Sequence, residues 1–493
     1  MQHGQADSQD NRLENFFLPT ASALNLTPIA RRSMFRIFPF IVLISVAAFA
    51  ADDYGKSTVT PIIPPPQPGP PYLHLAPMLG HVSSIDARLW IKSTGPARWS
   101  VRVSEQADLA AAREVEGTQL SEAFTGVALV EGLKPGTRYF YSVLLDGELA
   151  TSRPWPSFTT APEDGAKGRT RFAFGSCVGK EPWLDAAMWA DLDARTPVDL
   201  VLLLGDNHYA NTPEPAKQRA AFIAHRDNAG FRSLFQRTPI YAVWDDHDFG
   251  VNDSDGTQKD KELSLRTFKE FFANPAYGEP DNPGVYFRFT RGDIDFFMLD
   301  DRYHRSPNKA PDDEDKTMLG AKQLAWLKRE LVASKAAIKV LAAGGEWQRN
   351  GSDDSWKSFQ RERKEIFDLL AGHEMKNVLL LSGDRHFTAA YQLPEGFIEV
   401  CSGPIGSPNA PAKFAPGMFS LHDHGKMICV FDIDTTAAQP AVSLEIYEAG
   451  VGIVETRKFS WDEVTGAAKI PALPPNYQTP TMKEAAPKVA KPQ

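Results

Sequence analysis

Cysteine is scarce in this chain: Cys177, Cys401 and Cys429 are the only three among 493 residues. Three thiols cannot build a disulfide framework, so the fold must be held by buried cores. Positive charge is not in excess either. Lys and Arg total 53 against 62 Asp and Glu, giving a net charge of -9. That excludes the basic face that nonspecific nucleic-acid binding needs, while leaving room for a local pocket that takes a small anion. Long apolar runs are also missing. The most apolar stretch, after Met34, runs for only about a dozen residues, short of the roughly 20 of a membrane span.

What is present divides the chain. Residues 1–50 read as a leader: Arg36 and a short apolar run precede Ala48-Phe-Ala50, an A-x-A cleavage pattern. Met34 is a possible true start, and Arg31-Arg32 a possible twin-arginine signal. The alternative is an N-terminal anchor. Residues 51–71 are a proline-rich, extended spacer. Residues 72–160 alternate in period two, with turn signals at Leu133-Lys-Pro-Gly-Thr137, and predict a β-sandwich of fibronectin III or immunoglobulin type. Trp90 and Tyr139 belong to its core.

From 169 to 458, strands and helices alternate, as in an α/β domain. The strand candidates are 171–175, 198–205, 240–244, 294–299, 338–343, 378–382, 397–401, 427–432 and 442–447. The helix candidates are 319–333 and 359–370. Residues 459–493 form an Ala, Pro and Lys tail of disordered composition.

The chemistry gathers at strand ends. Phe174-Gly-Ser-Cys177, Gly205-Asp-Asn-His-Tyr209, Val243-Trp-Asp-Asp-His-Asp248 and Leu381-Ser-Gly-Asp-Arg-His386 each follow an apolar run. Ligands of α/β sheets collect outside the carboxyl ends of the strands. Ionisable side chains on the tip of a buried strand need a neutralising partner, and a metal ion supplies one. A thiolate and a phenolate ionise near neutral pH only beside a strongly charged cation. Cys177, Tyr209 and His386 therefore suggest Fe³⁺, with Asp206 a bridge to a second ion. Asp246 and Asp384 offer oxygen to Ca²⁺, Mg²⁺ or Mn²⁺. Such a pair of ions clamps a phosphate and activates water.

Taken in order, these four motifs resemble those of the alkaline phosphatase D (PhoD-like) family of metallophosphoesterases, as does Leu299-Asp-Asp-Arg-Tyr-His-Arg305. The resemblance covers roughly residues 72–455. It implies a four-layer αββα catalytic sandwich behind a smaller all-β domain. It also implies a phosphatase or phosphodiesterase with Fe³⁺ and Ca²⁺, working by attack of a metal-bound hydroxide, exported by Sec or Tat to the periplasm or beyond. On that match Cys177, Asp206, Tyr209 and His386 hold iron, Asp206, Asp246 and Asp384 face calcium, and Asn252 follows as a further ligand. His247 binds phosphate or protonates the leaving oxygen, and Arg302, Arg305 and Arg385 neutralise phosphate.

One departure stands out. Other superfamily members place a metal-binding His after the strand that here ends in Ala343-Gly-Gly-Glu346. Either Glu346 substitutes, or the second site is built from oxygen alone and favours Ca²⁺, with Mg²⁺, Mn²⁺ or Zn²⁺ as other candidates.

Competing readings attach to several residues. Arg302 and Arg305 could instead pair with carboxylates. Asp245 and Asp248 could support the ligands or be solvated. His208, His304, His422 and His424 are expected to be structural or exposed, and Cys401 and Cys429 buried. Expected partners are a small or polymeric phosphate ester, no nucleic acid, no membrane span after cleavage, and a monomeric state. Alternatives are a phospholipase D-like or teichoic-acid diesterase, or a non-catalytic surface protein.

Overall fold

The computed structural model describes residues 69–477. The leader, most of the proline-rich spacer and the end of the tail lie outside the described residues. At the centre is the strand Leu200–Leu204, all five residues buried. It pairs in parallel with Arg169–Gly175 on one side and Ile240–Val243 on the other. The sheet continues antiparallel through Met427–Asp434, Ala441–Glu448 and Gly452–Phe459.

A second sheet runs Phe287–Arg291, Ile294–Met298, Ile338–Ala342, Val378–Ser382, Ile398–Cys401, Thr388–Gln392 and Met418–His422. Four neighbouring strands, from Ile294–Met298 to Ile398–Cys401, are parallel. Their period-two pattern sorts the layers. Phe296, Val340 and Leu379 enter the core shared with the first sheet. Phe297, Leu341 and Leu380 face a second core, under the helices Ala321–Ala333 and Gln360–Gly372. Phe172 of the first sheet meets Phe296 of the second edge-on, with centroids 5.1 Å apart. Helices Ala186–Arg195, Pro215–Arg226, Ala229–Phe235 and Lys261–Phe271 cover the first sheet's other side. The result is helix, sheet, sheet, helix.

The predicted all-β domain is present as two sheets around a core that includes Leu89, Val101, Tyr141 and Phe158. Tyr139 sits at a corner, where its hydroxyl accepts the Lys134 N–H at 2.9 Å and ties the turn back to the sheet. Trp90 is buried, but at the junction rather than in the sandwich. Its Nε1 donates to the Glu270 carbonyl at 2.8 Å, and its ring lies 6.0 Å from Phe271. His81 N–H donates to the Ala273 carbonyl at 2.9 Å nearby. A Cβ on Gly80 would come within 2.3 Å of that carbonyl oxygen, so glycine allows the close approach.

The strands bring their carboxyl ends to one edge. Gly383 N–H donates to Gly344 O at 2.8 Å within the second sheet, while Ile405 N–H donates to Ser176 O at 3.0 Å between the two sheets. Ser402 Oγ donates to Phe174 O at 2.8 Å. These bonds fix the loops that carry the first and fourth polar motifs.

Candidate metal centre

Three of the four motifs leave their strands through a constrained backbone. Cys177, Asp206, Asp384 and His386 have φ of 62°, 53°, 68° and 55°, in the left-handed region that non-glycine residues rarely adopt. Four such residues in one cluster mark a place where geometry is held against local preference. Gly205, at φ 95°, makes the first turn possible. A Cβ there would meet the Asp245 Cβ at 2.4 Å. Asp248 pins two of the loops together. Its carboxylate accepts from His208 N–H at 3.1 Å, Asn207 Nδ2 at 3.0 Å and Asp245 N–H at 3.2 Å.

Tyr209, Cys177, Asp206 and His386 come together. The Tyr209 hydroxyl lies 2.9 Å from Asp206 Oδ2 and 3.0 Å from His386 Nε2. Cys177 Sγ lies 3.5 Å from the same Asp206 oxygen. Two further groupings share members with this one or with each other. Ligand atoms of Asp206, Asp246 and His247 lie within 4.8 Å of one another, as do those of Asp246, Asp253 and Asp354. Asp246 is oriented by the N–H groups of His247 at 2.8 Å and Asp253 at 2.7 Å.

Electrostatics argue for a cation here. Burial, then the Asp246 and Asp245 charges, push the Asp206 carboxyl well above the usual range. Burial and the Asp206 charge do the same to the Cys177 thiol and the Tyr209 phenol. Asp384 is pushed up to about 8, mainly by burial. Asp246 is held low although burial opposes it, because His247 and Arg302 face it. Asp206 Oδ1 is buried with no hydrogen-bond partner among the described residues. A buried acceptor of this kind, among thiol, phenol, imidazole and carboxylate donors, fits a metal ion.

Several expected residues lie elsewhere or do something else. Asn252 is exposed, and its neighbour Asp253 joins the third grouping. Arg302, expected to contact phosphate, has a fully buried side chain. Nε pairs with Asp245, and a terminal nitrogen donates to Asp354 at 2.7 Å. Arg305, equally buried, donates to the other oxygen of Asp354 at 2.7 Å. Both are committed to ion pairs that hold carboxylates in place. Arg385 keeps 28% of its side chain exposed, with Nε 3.0 Å from Glu346 Oε2 and a terminal nitrogen 3.7 Å from Asp384. Glu346 therefore faces an arginine, and it takes no part in the three groupings. His422 pairs with Glu455 at 2.9 Å.

Asp253, Asp354 and Asn211 were not singled out in the sequence. Asp253 lies within the 249–253 segment that followed the third motif. Asp354 sits in a loop whose composition gives no signal, and Asn211 lies just past Tyr209.

Four layers with three overlapping groups of metal-type ligands at the carboxyl ends define a metallophosphoesterase fold. A family model described as PhoD-like phosphatase matches residues 172–427, and the chain belongs to that family. Residues 70–162 match a second model, a domain of unknown function (DUF7800). Alkaline phosphatase D of Bacillus subtilis (strain 168) is 26% identical over 368 residues, covering 64% of this chain and 62% of that protein. Purple acid phosphatase 23 of Arabidopsis thaliana is 25% identical over 267 residues, covering 49% and 52%. The chain thus spans less than two thirds of either curated relative. A solved structure of PhoD superposes with a TM-score of 0.65 at 20% identity, over 80% of this chain and 93% of that one. Purple acid phosphatase PPD1 from yellow lupin (Lupinus luteus) seeds gives 0.60 at 15% identity, over 84% and 78%.

Proposed function

We propose that this chain is an exported, metal-dependent phosphatase that hydrolyses phosphomonoesters, phosphodiesters or both. The observation that carries the reading is the convergence of the Tyr209 hydroxyl and Cys177 Sγ on Asp206, with His386 Nε2 on the same hydroxyl. Those four residues would hold Fe³⁺. Asp206, Asp246 and Asp384, with Asp253 and Asp354 close by, would hold an oxygen-preferring cation, with Ca²⁺ first among the candidates. When bound, the metals supply charge stabilisation for the phosphoryl oxygens and an acidified water.

The chain's own groups do the rest. His247, buried beside Asp246, gives its proton to the leaving oxygen. Arg385 presents its partly exposed guanidinium to phosphate, while Glu346 holds the Nε edge. Arg302 and Arg305 neutralise Asp245 and Asp354, so the carboxylates stay placed. The leader 1–50 would carry the chain across the inner membrane.

Purified protein loaded with iron and calcium is expected to hydrolyse an aryl phosphate monoester or diester, and Asp206→Ala to abolish this. A loaded wild type that cleaves neither ester contradicts the reading.

A further inference from the structure

The loop that supplies Asp206 and Tyr209 continues through Ala210 to Asn211. Asn211 adopts φ 53°, a left-handed conformation that Asn tolerates better than most residues. That turn sends its side chain back over the site, where Asn211 Oδ1 meets His247 Nδ1 in a close hydrogen bond. On the other side, the His247 ring lies against Tyr209, with centroids 4.2 Å apart and planes 36° from parallel. A ring nitrogen of His247 is within 4.8 Å of carboxylate oxygens of both Asp206 and Asp246.

We propose that Asn211 is a positioning residue that fixes the rotation of the His247 imidazole and so turns Nε2 toward the leaving oxygen. The inference rests on the phosphatase reading above. An amide oxygen only accepts, so its bond to Nδ1 requires a proton on that nitrogen. Nε2 is then the nitrogen turned to the leaving oxygen, and it donates when the ring carries its second proton. The Tyr209 ring fixes the plane, and the amide fixes the rotation within it. A neutral amide does this without adding charge to a site already crowded with carboxylates, unlike the carboxylate that often orients a histidine.

In the step this serves, a water oxygen forms the new bond to phosphorus. The ester P–O bond breaks with its electron pair on the leaving oxygen. The Nε2 proton passes to that oxygen, the water's proton leaves to solvent, and a solvent proton restores His247.

The test compares metal-loaded full-length wild type, Asn211→Ala, Asn211→Asp, His247→Ala and the double variant Asn211→Ala/His247→Ala on two monoesters. Nitrophenyl phosphate has a leaving group that needs little protonation, whereas glycerol phosphate needs it. Asn211→Ala is expected to lower kcat on glycerol phosphate by roughly 10–100-fold and on nitrophenyl phosphate by under about threefold, with KM nearly unchanged. Asn211→Asp keeps the acceptor and recovers most of the loss. The double variant is no slower than His247→Ala alone. In ¹⁵N-histidine-labelled wild type, NMR shows Nδ1 of His247 protonated.

Equal losses on both esters, additive losses in the double variant, or an unprotonated Nδ1 in the wild type would overturn the role of Asn211 while leaving the phosphatase reading intact. A wild type that cleaves neither ester overturns that reading, and the kinetic role of Asn211 with it.

Discussion

The Tyr209 hydroxyl lies 3.0 Å from His386 Nε2, although 177 positions separate them in sequence. Both sit on loops at strand carboxyl ends, one from each sheet. The same hydroxyl is 2.9 Å from Asp206, whose carboxylate also meets Cys177. Asp206 is thus the hub of the first grouping and a member of the second, which Asp246 links to the third. Asp253 and Asp354 belong only to the third. Elemental analysis of purified variants should separate these roles. Asp206→Ala is expected to lose both cations, with activity down by at least about 10³-fold. Asp354→Asn is expected to keep iron and lose only the second ion. Retention of both ions by Asp206→Ala contradicts the bridge.

Arg302 is a buried cation between Asp245 and Asp354. Removing one partner of a buried ion pair leaves an uncompensated charge and costs about 3–5 kcal/mol. Arg302→Met should lower stability to urea by that order. Arg302→Lys should recover only part, since one ammonium cannot span both carboxylates. A loss near zero would mean that Arg302 is not what holds Asp245.

Much of the fold was legible because its strands are buried on both faces. The runs at 200–204, 338–342 and 378–382 are almost wholly apolar, and their ends announce themselves with Gly followed by Asp or Glu. Helices such as Pro215–Arg226 were not predicted, because their inner faces are polar. That helix buries Gln218, His225 and Arg226. Gln218 donates to Thr212 O, Asp248 O and Ser264 Oγ. The Arg226 guanidinium sits 4.6 Å from the Phe272 ring and 5.0 Å from Trp90, a cation–π arrangement with no apolar period to betray it. In the site, Cys177, Asp206, Tyr209, Asp246 and His386 could be picked out by their place after strands. Asp354 and the pairing of Glu346 with Arg385 could not, since both depend on where a long loop returns.

Gly344 follows the strand that ends at Ala342, and a Cβ there would meet the Asp245 Cγ at 2.7 Å and Oδ1 at 2.8 Å. Gly344→Ala must displace Asp245 or the loop. The expected cost is about 1–3 kcal/mol by overpacking, together with weakened metal retention after dialysis. Gly372→Ala meets nothing within 4 Å among the described residues and serves as the control. Equal behaviour of the two variants would show that the close approach is unimportant.

Glu395 braces the loop that bears Glu346 and Asp354. It pairs with Arg363 at 2.8 Å and Arg349 at 2.6 Å, and Arg363 also donates to the Trp347 carbonyl at 2.5 Å. Partial burial alone would raise its carboxyl. The hydrogen bond and charge of Arg363, with help from Arg349, reverse this and hold it down to about 2. A depressed folded-state value gives stability that is full above the unfolded carboxyl value of about 4.3 and lost as pH falls toward 2. Glu395→Gln should therefore cost about 1–2 kcal/mol at pH 7, allowing for solvent screening. The gap to wild type should close as unfolding is measured at progressively lower pH below about 4.5. A gap independent of pH would point to packing in place of charge.

The most direct test of the metal centre is the visible absorption spectrum of iron-loaded wild type beside that of Tyr209→Phe, with iron content measured in both. A tyrosinate bound to Fe³⁺ gives a charge-transfer band. Coloured wild type, and a Tyr209→Phe variant that retains iron but loses the band, is the predicted result. A wild type that takes up no iron, or a band unchanged in Tyr209→Phe, would contradict the account.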